Sequence, residues 1–158
     1  MKTLTLMFLL VLLVGCSPEG IDTGRPCSEV ENAIRGYYAA KYPAFAELAS
    51  LQTNRTAGAA WVRSGELYKL TPVREIVNSY PNGPYLKFVE YTELSPTTLS
   101  VVTVNLSANK DSSCRIGVSS GKGPKQKGEP FAVTKSITVE DVREILNQIP
   151  TTPPTLRR

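Results

Sequence analysis

The chain has 158 residues, twelve of them proline, with 41% hydrophobic and 20% charged residues, a composition typical of one globular domain with some irregular segments. Its formal net charge of +4 is small and scattered, whereas nucleic-acid binding needs a dense basic stripe or a recognisable module. The sequence contains no histidine, which excludes Ser-His-Asp and Cys-His catalysis and histidine-ligated metal sites. Carboxylate pairs, a Ser-Lys pair and an oxygen-ligated calcium site remain open, but the sequence predicts no cofactor and no metal.

The first residues have the character of an export signal. Lys2 supplies a positive start, and Leu4 to Val14 form an apolar run that is interrupted only by Thr5 and is too short for a permanent transmembrane helix. Its length and flanks predict a signal peptide over residues 1–15. The run ends in Leu13-Val14-Gly15-Cys16, which resembles the lipobox of bacterial lipoproteins. The resemblance implies that Cys16 receives a diacylglyceryl group, that the chain is cut before it, and that the new amine is often acylated.

The same resemblance implies a location. Two or three acyl chains, at about 0.8 kcal/mol per buried methylene, would anchor the protein essentially permanently. Ser17 stands where an aspartate would signal inner-membrane retention in many Gram-negative bacteria, so we expect the periplasmic face of the outer membrane. In a Gram-positive host the expected place is the outer face of the cytoplasmic membrane.

Two cysteines remain beside the lipid-modified one. Cys27 and Cys114 form an even pair in an exported chain, which predicts a disulfide. The chain-entropy model assigns about 4–5 kcal/mol to closing a loop of this length, which is an upper value because strain often reduces it. A redox role would need a closely spaced Cys-x-x-Cys pair, which the sequence lacks. The predicted bond is therefore structural.

A tether and two helices are predicted next. Residues 16–26 are rich in proline and glycine and predict a flexible tether, followed by a single domain over 27–149. Ser28 to Glu31 fit the capping box of a helix that continues to about Lys41. Pro43 suits the first turn of a second helix, and the sequence leaves open whether the two are one kinked helix.

The middle of the chain is richer in strand formers. Residues 54–60 predict a loop, and the segment type is left open from Trp61 until residues 73–80, where β-branched content and the following Pro-Asn-Gly-Pro turn favour a strand. Residues 85–91 and 99–106 predict a hairpin around Ser95-Pro96-Thr97. A turn at 109–112 and a strand over 114–119 complete an antiparallel meander.

The last part returns to a helix. Residues 121–128 predict a basic, glycine-rich loop, and Thr138 begins an amphipathic helix that Pro150 ends. Residues 150–158 predict a disordered proline-rich tail. The fold class expected is α+β, with N-terminal helices and a C-terminal helix packed on a meandering antiparallel sheet of about four strands. This element order resembles cystatin-like and NTF2-like lipoprotein domains, in which a helix soon after the anchor lies across a curved sheet.

Few side chains suggest a binding site. Lys122, Lys125 and Lys127 would form a mobile cationic contact for phosphate groups of lipid or lipopolysaccharide, or for an acidic partner. The simpler interpretation, which we favour, is a solvated loop. Glu90 and Glu93 stand three apart on a predicted strand and therefore on opposite faces, so we expect exposed charges and not a catalytic carboxylate pair.

Aromatic residues cluster early in the domain. They would either line a ligand pocket between helix and sheet or belong to the core, and the helical spacing favours the core. The residues in question are Tyr37, Tyr38, Tyr42, Phe45 and Trp61.

The function expected is a membrane-anchored, non-catalytic protein-binding or assembly module that contacts another envelope protein. The alternative is a carrier that holds a lipid or small apolar ligand between helix and sheet. An enzyme ranks third because no catalytic constellation is visible. The sequence predicts no nucleic-acid partner and leaves the oligomeric state open.

Overall fold

A computed structural model of the chain describes residues 20–53, 59–78 and 83–150. It is an α+β fold built on an antiparallel sheet, as the sequence predicts, and the sheet has five strands within these residues where the sequence predicts about four. The elements in chain order are β1 (Gly20–Pro26), α1 (Cys27–Lys41), α2 (Pro43–Thr53), α3 (Ala59–Tyr68), β2 (Val73–Val77), β3 (Leu86–Ser95), β4 (Thr98–Ala108), β5 (Ser113–Pro124) and α4 (Val139–Gln148).

The sheet has the strand order β1-β5-β4-β3-β2, with every neighbouring pair antiparallel. The predicted hairpin is formed by β3 and β4, and the predicted strand at residue 73 is β2. The turn expected between β4 and β5 is also present, where the Asn109 amide donates to the Ser113 carbonyl at 2.8 Å and Ser112 adopts a φ of 67°.

The fifth strand comes from a segment for which the sequence predicts a flexible tether. Gly20–Pro26 form the edge strand β1, in which Gly20 pairs with Gly117. The register shifts between Asp22 and Pro26, and Gly24 within this irregular stretch has a φ of 63°, which favours glycine. Burial alternates along β1, with Ile21, Thr23 and Arg25 half-buried, but two of these three side chains are polar, so the hydrophobic pattern of the sequence could not reveal the strand. Residues 16–19 of the predicted tether lie outside the described residues.

The helix boundaries refine the predictions. Tyr42 has an extended backbone, with φ of −130°, immediately before Pro43, so α1 and α2 are two separate helices. The predicted capping box at Ser28 is wrong, because α1 begins at Cys27, places Ser28 in its first turn and has no side-chain cap. A capping box does occur at α4, where the Thr138 hydroxyl accepts from the Asp141 amide at 3.1 Å.

The remaining predictions fall partly outside the described residues. Ala59 and Ala60, expected in a loop, begin α3, whereas residues 54–58 are not described. The strand predicted over 73–80 ends at Val77, Asn78 lies outside it, and residues 79 and 80 are not described. The predicted tail is described only at Pro150.

The core lies between α1 and one face of the sheet. Three α1 side chains, Val30, Ile34 and Tyr38, are completely buried and belong to one cluster with inward residues of β3, β4 and β5. The side chains of α4 in the same cluster are Val142 and Leu146. Burial of each large aliphatic side chain contributes roughly 1.5–3 kcal/mol, so this layer is a main source of stability.

A covalent clamp joins the start of α1 to β5. The sulfur atoms of Cys27 and Cys114 lie at disulfide distance, with Cα atoms 4.6 Å apart and a sequence separation of 87. Such a bond would restrict the unfolded chain over a long loop.

We expect reduction, or the paired change Cys27→Ser with Cys114→Ser, to lower the free energy of unfolding by about 2–4 kcal/mol. Urea titration of the mature chain with and without reductant measures this loss. Thiol labelling of the unreduced, denatured chain is the control, and labelling of both cysteines would show that they are not bonded.

Candidate functional site

The most unusual polar residue in the interior is Glu90 on β3. It is 0% exposed, although the sequence predicts an exposed charge. Leu86, Phe88 and Glu90 share one face of β3 because alternate strand residues point the same way, and this is the face that packs in the core. The prediction that Glu90 is exposed is wrong because it was based on the charge of the side chain and not on this alternation.

Glu90 is surrounded by donors from three other segments. The Lys41 Nζ donates to Glu90 Oε1 at 2.8 Å, and the Tyr42 hydroxyl donates to the same oxygen. The backbone amide of Ile137 donates to Oε2 at 3.0 Å. We call Lys41, Tyr42, Glu90 and Ile137 the Glu90 cluster. It joins the end of α1, the junction with α2 and the segment before α4 to the middle of β3.

The cluster changes the titration of its members. Burial, together with the hydrogen bond to Glu90, raises the pKa of Tyr42 to about 12. Burial opposes the charge on Lys41, but the hydrogen bond and charge of Glu90 outweigh it and hold the pKa of Lys41 above its usual range. The Lys41 Nζ also donates to the Lys135 carbonyl at 2.8 Å. Both groups therefore keep their protons through neutral pH.

The Glu90 carboxylate is arranged for structure and not for acid-base chemistry. Both of its oxygens already accept hydrogen bonds, and its side chain has no exposed surface. Glu93 lies on the opposite face, where its carboxylate is 3.2 Å from Lys125 Nζ. The two acids therefore form no pair, as the strand periodicity predicts.

The three lysines of the predicted basic loop occupy different environments. Lys122 is not in a loop but on β5, opposite Ser100 of β4. Lys125 is held by Glu93 and lies over the ring of Phe131, 3.9 Å from its centroid. Lys122 and Lys127 are exposed. The glycines at 121 and 123 did not prevent strand formation because β4 supplies the pairing partners.

The early aromatic residues mostly belong to the core, as the favoured interpretation predicts. The rings of Tyr38, Phe45 and Phe88 meet with centroids 5.6 to 6.4 Å apart and fill space between α1 and the sheet. Tyr37 is half-buried beside Tyr38, and the side chain of Trp61 lies outside the described residues.

Two open grooves lie on the helical side. One, of about 860 Å³, runs between α1 and α4. Its α1 wall carries the small residues Ala33, Gly36 and Ala40, and its α4 wall carries Ile145 and Ile149. A Cβ atom added at Gly36 would meet nothing within 4 Å, so the groove is open along this helix.

The second groove, of about 620 Å³, lies where β3, β4 and β5 extend beyond the helices. It is bordered by residues 133–140 and lined by several hydroxyl side chains. Leu94 and Val133 are large apolar residues at its border that remain 52% and 86% exposed.

Within the described ranges, no helix is long and apolar enough to cross a membrane, and no cluster of three acidic or cysteine side chains suited to a metal ion occurs. Cys16 lies outside these ranges. No protein-family model, curated protein or solved structure matches the chain.

The buried ion pair generates a stability prediction. Lys41→Met would leave the Glu90 carboxylate without its cation, and breaking a buried pair in this way costs about 3–5 kcal/mol. Urea unfolding measures the loss. The exposed pair of Arg63 and Glu47 provides the control, because Arg63→Met should cost less than about 1 kcal/mol. Equal costs for the two variants would contradict the structural role of the Glu90 cluster.

A second prediction concerns alkaline pH. Burial and the charge of Glu31 raise the pKa of Tyr85 to about 12, as burial and Glu90 do for Tyr42. Because the folded chain holds these protons more tightly than the unfolded chain, its stability is complete below about pH 10 and falls as the pH rises towards 12.

Unfolding measured across this range, with tyrosinate absorbance recorded in parallel, tests the linkage. Tyr42→Phe should reduce the loss of stability above pH 10, since it removes one late-titrating group. A stability that stays constant up to pH 12 would contradict the linkage.

Proposed function

We propose that this chain is a lipid-anchored protein of the bacterial cell envelope, acylated at Cys16, whose domain is a non-catalytic module that binds another envelope protein. The periplasmic face of the outer membrane is the proposed location, with the outer face of a Gram-positive cytoplasmic membrane as the alternative. In this proposal the helices form a layer on the sheet that presents the groove between α1 and α4 to the partner.

The observation that carries the proposal is this groove. It combines small α1 residues with the half-buried Ile145 and Ile149, and so offers both room and apolar surface to a side chain of another protein. Removal of apolar surface from water is the main driving force of most protein association. A partner that covered the two isoleucines would gain this free energy.

Catalysis has less support. Glu90, a carboxylate with no exposed surface, has both oxygens occupied by donors of the same chain, and the histidine-free sequence lacks the commonest general base. A carrier function also has less support, because Tyr38, Phe45 and Phe88 occupy the space between helix and sheet that such a ligand would need.

Anchoring is tested by mass spectrometry of the mature N-terminus. We expect the mature chain to begin at an acylated Cys16, whereas Cys16→Ser should leave a precursor that is misprocessed and not acylated. An unmodified terminus at any other residue would contradict both the anchor and the proposed location.

Binding is tested with two matched glycines. Gly36→Arg would fill the groove, while Gly65→Arg places the same side chain on α3, and at neither position would a new Cβ atom meet another atom within 4 Å. Replacing glycine in a helix also removes a cost of about 1 kcal/mol, so both variants should stay folded.

We expect envelope cross-linking of the acylated protein to recover a partner with the wild type and Gly65→Arg but not with Gly36→Arg. A partner retained by both variants would place the contact elsewhere. Failure to cross-link any protein to the acylated wild type would contradict the binding function.

A further inference from the structure

In the proposed anchoring, only a short segment connects the lipid to the folded domain. Only three residues separate Cys16 from Gly20, which is already paired with Gly117 of β5. Four Cα steps span at most about 14 Å. The sheet itself, and not a distant domain on a long tether, would therefore lie beside the lipid surface.

The direction of β1 indicates which end of the sheet this is. Because β1 and β5 are antiparallel, the chain before Gly20 points towards higher residue numbers on β5. β5 continues from Gly117 to Pro124, and no described strand pairs with it on that side. At about 3.3 Å per residue this free edge is about 23 Å long. If the chain from Gly20 back to Cys16 were fully extended along it, Cys16 would lie level with Gly121.

This end of the domain has a distinct composition. We define the proximal tip as residues 94–97, 122–127 and 133–135. Two of its large apolar side chains, Leu94 and Val133, are more than half exposed. Three of its lysines, Lys122, Lys127 and Lys135, are also exposed.

The charge balance of the region is positive. Glu93 is paired with Lys125, and Glu140 Oε1 lies 3.7 Å from Arg143 Nη1. The negative charges of these two acids are therefore balanced by neighbouring cations. Glu129 is a further exposed acid nearby in the chain, and the half-buried Asp141 interacts electrostatically with Lys135, but the three exposed lysines outnumber these two acids. A surface that combines exposed lysines with apolar side chains is suited to an anionic bilayer, since lysines contact headgroups while apolar groups reach deeper.

We propose that the proximal tip rests on the anionic phospholipid headgroups of the bilayer that holds Cys16, with Leu94 and Val133 directed towards the acyl chains. The inference rests on the anchoring proposed above. A headgroup layer is about 5–8 Å deep, so a tip that extends a few residues beyond the level of Cys16 reaches its inner boundary.

The opposite end of the sheet fits a membrane less well. There the turn between β4 and β5 exposes the polar Lys110, Asp111 and Ser112, and the exposed apolar side chains at this end, Ile76 and Val77, lie on the edge strand β2. It also lies in the direction in which β1 runs towards α1, away from the anchor.

Depth is measured with a tryptophan introduced at the tip. The acylated full chain carries Trp61→Phe, which removes its one tryptophan, together with Val133→Trp. It is reconstituted in phosphatidylcholine vesicles, with and without phosphatidylglycerol, whose acyl chains bear bromine as a quencher. The matched control is Val77→Trp, because Val77 is 72% exposed on β2 at the other edge of the sheet.

We expect severalfold stronger quenching at position 133 than at position 77 in vesicles with phosphatidylglycerol. The difference should shrink in pure phosphatidylcholine and at 1 M salt, where the screening length falls to about 3 Å. The pair Lys122→Glu and Lys127→Glu should reduce quenching at 133, whereas Lys69→Glu with Lys110→Glu should not.

The outcomes separate this inference from the anchoring on which it rests. Mass spectrometry and flotation with the vesicles first establish that Cys16 is acylated, and their failure would overturn the anchor. If the acylated chain floats but positions 133 and 77 are quenched equally, or neither is quenched, the anchor stands and the proposed orientation is wrong.

Discussion

The arrangement of this domain depends on the burial of one carboxylate. An ionised side chain with no exposed surface is costly unless donors surround it, so Glu90 requires Lys41, Tyr42 and the Ile137 amide to be in place together. Lys41 and Tyr42 are adjacent at the end of α1, whereas Ile137 lies far from them in the chain, in the segment before α4. Satisfying a single side chain therefore fixes the end of α1, the start of α2 and the approach to α4 relative to β3.

The chain after β5 shows the consequence. Ala132 pairs with the edge of β3 beyond β2, where its amide donates to the Tyr91 carbonyl at 2.8 Å and its carbonyl accepts from Glu93 at 3.0 Å. The hydroxyls of Thr92 and Ser136, four residues after Ala132, are 2.6 Å apart. The segment thus contacts β3 at Ala132 and again at Ser136 and Ile137, immediately before Thr138 begins α4.

The sequence predicted elements whose hydrophobic pattern is local. The hairpin of β3 and β4 and the amphipathic α4 could be predicted because strands and helices have characteristic hydrophobic periods, and the turn before β5 because Asn, Asp and Ser favour turns. The burial of Glu90 could also have been predicted, since Leu86, Phe88 and Glu90 are alternate residues of one strand and share a face. What the sequence could not supply were its partners, because Lys41 and Ile137 are brought to it only by the tertiary fold.

The strand β1 could not be predicted from the sequence, for a different reason. The half-buried positions of β1 include the polar Thr23 and Arg25, so the sequence shows no hydrophobic alternation there, and the strand is held by groups that are distant in the chain. The Thr23 hydroxyl donates to the Cys114 carbonyl at 2.7 Å, and Arg25 donates to the Ile149 carbonyl at 2.9 Å. The same holds for Lys122, whose strand exists because β4 lies beside it. Local propensity is a weak guide where tertiary pairing decides.

The two ends of the domain differ as a result of these contacts. α1 runs from the Cys27–Cys114 clamp to the Glu90 cluster, and α4 runs back from that cluster to Arg25, which also donates to the Pro150 carbonyl at 3.1 Å. At one end of the domain, Ile149 and Pro150 therefore lie beside the start of α1. The other end carries the exposed lysines of the proximal tip. In the proposed orientation the anchor and the tip occupy the membrane side, so the groove between the two antiparallel helices extends from that side towards the far end. A partner bound along it would be held at a height above the bilayer that the fold, and not a flexible linker, determines.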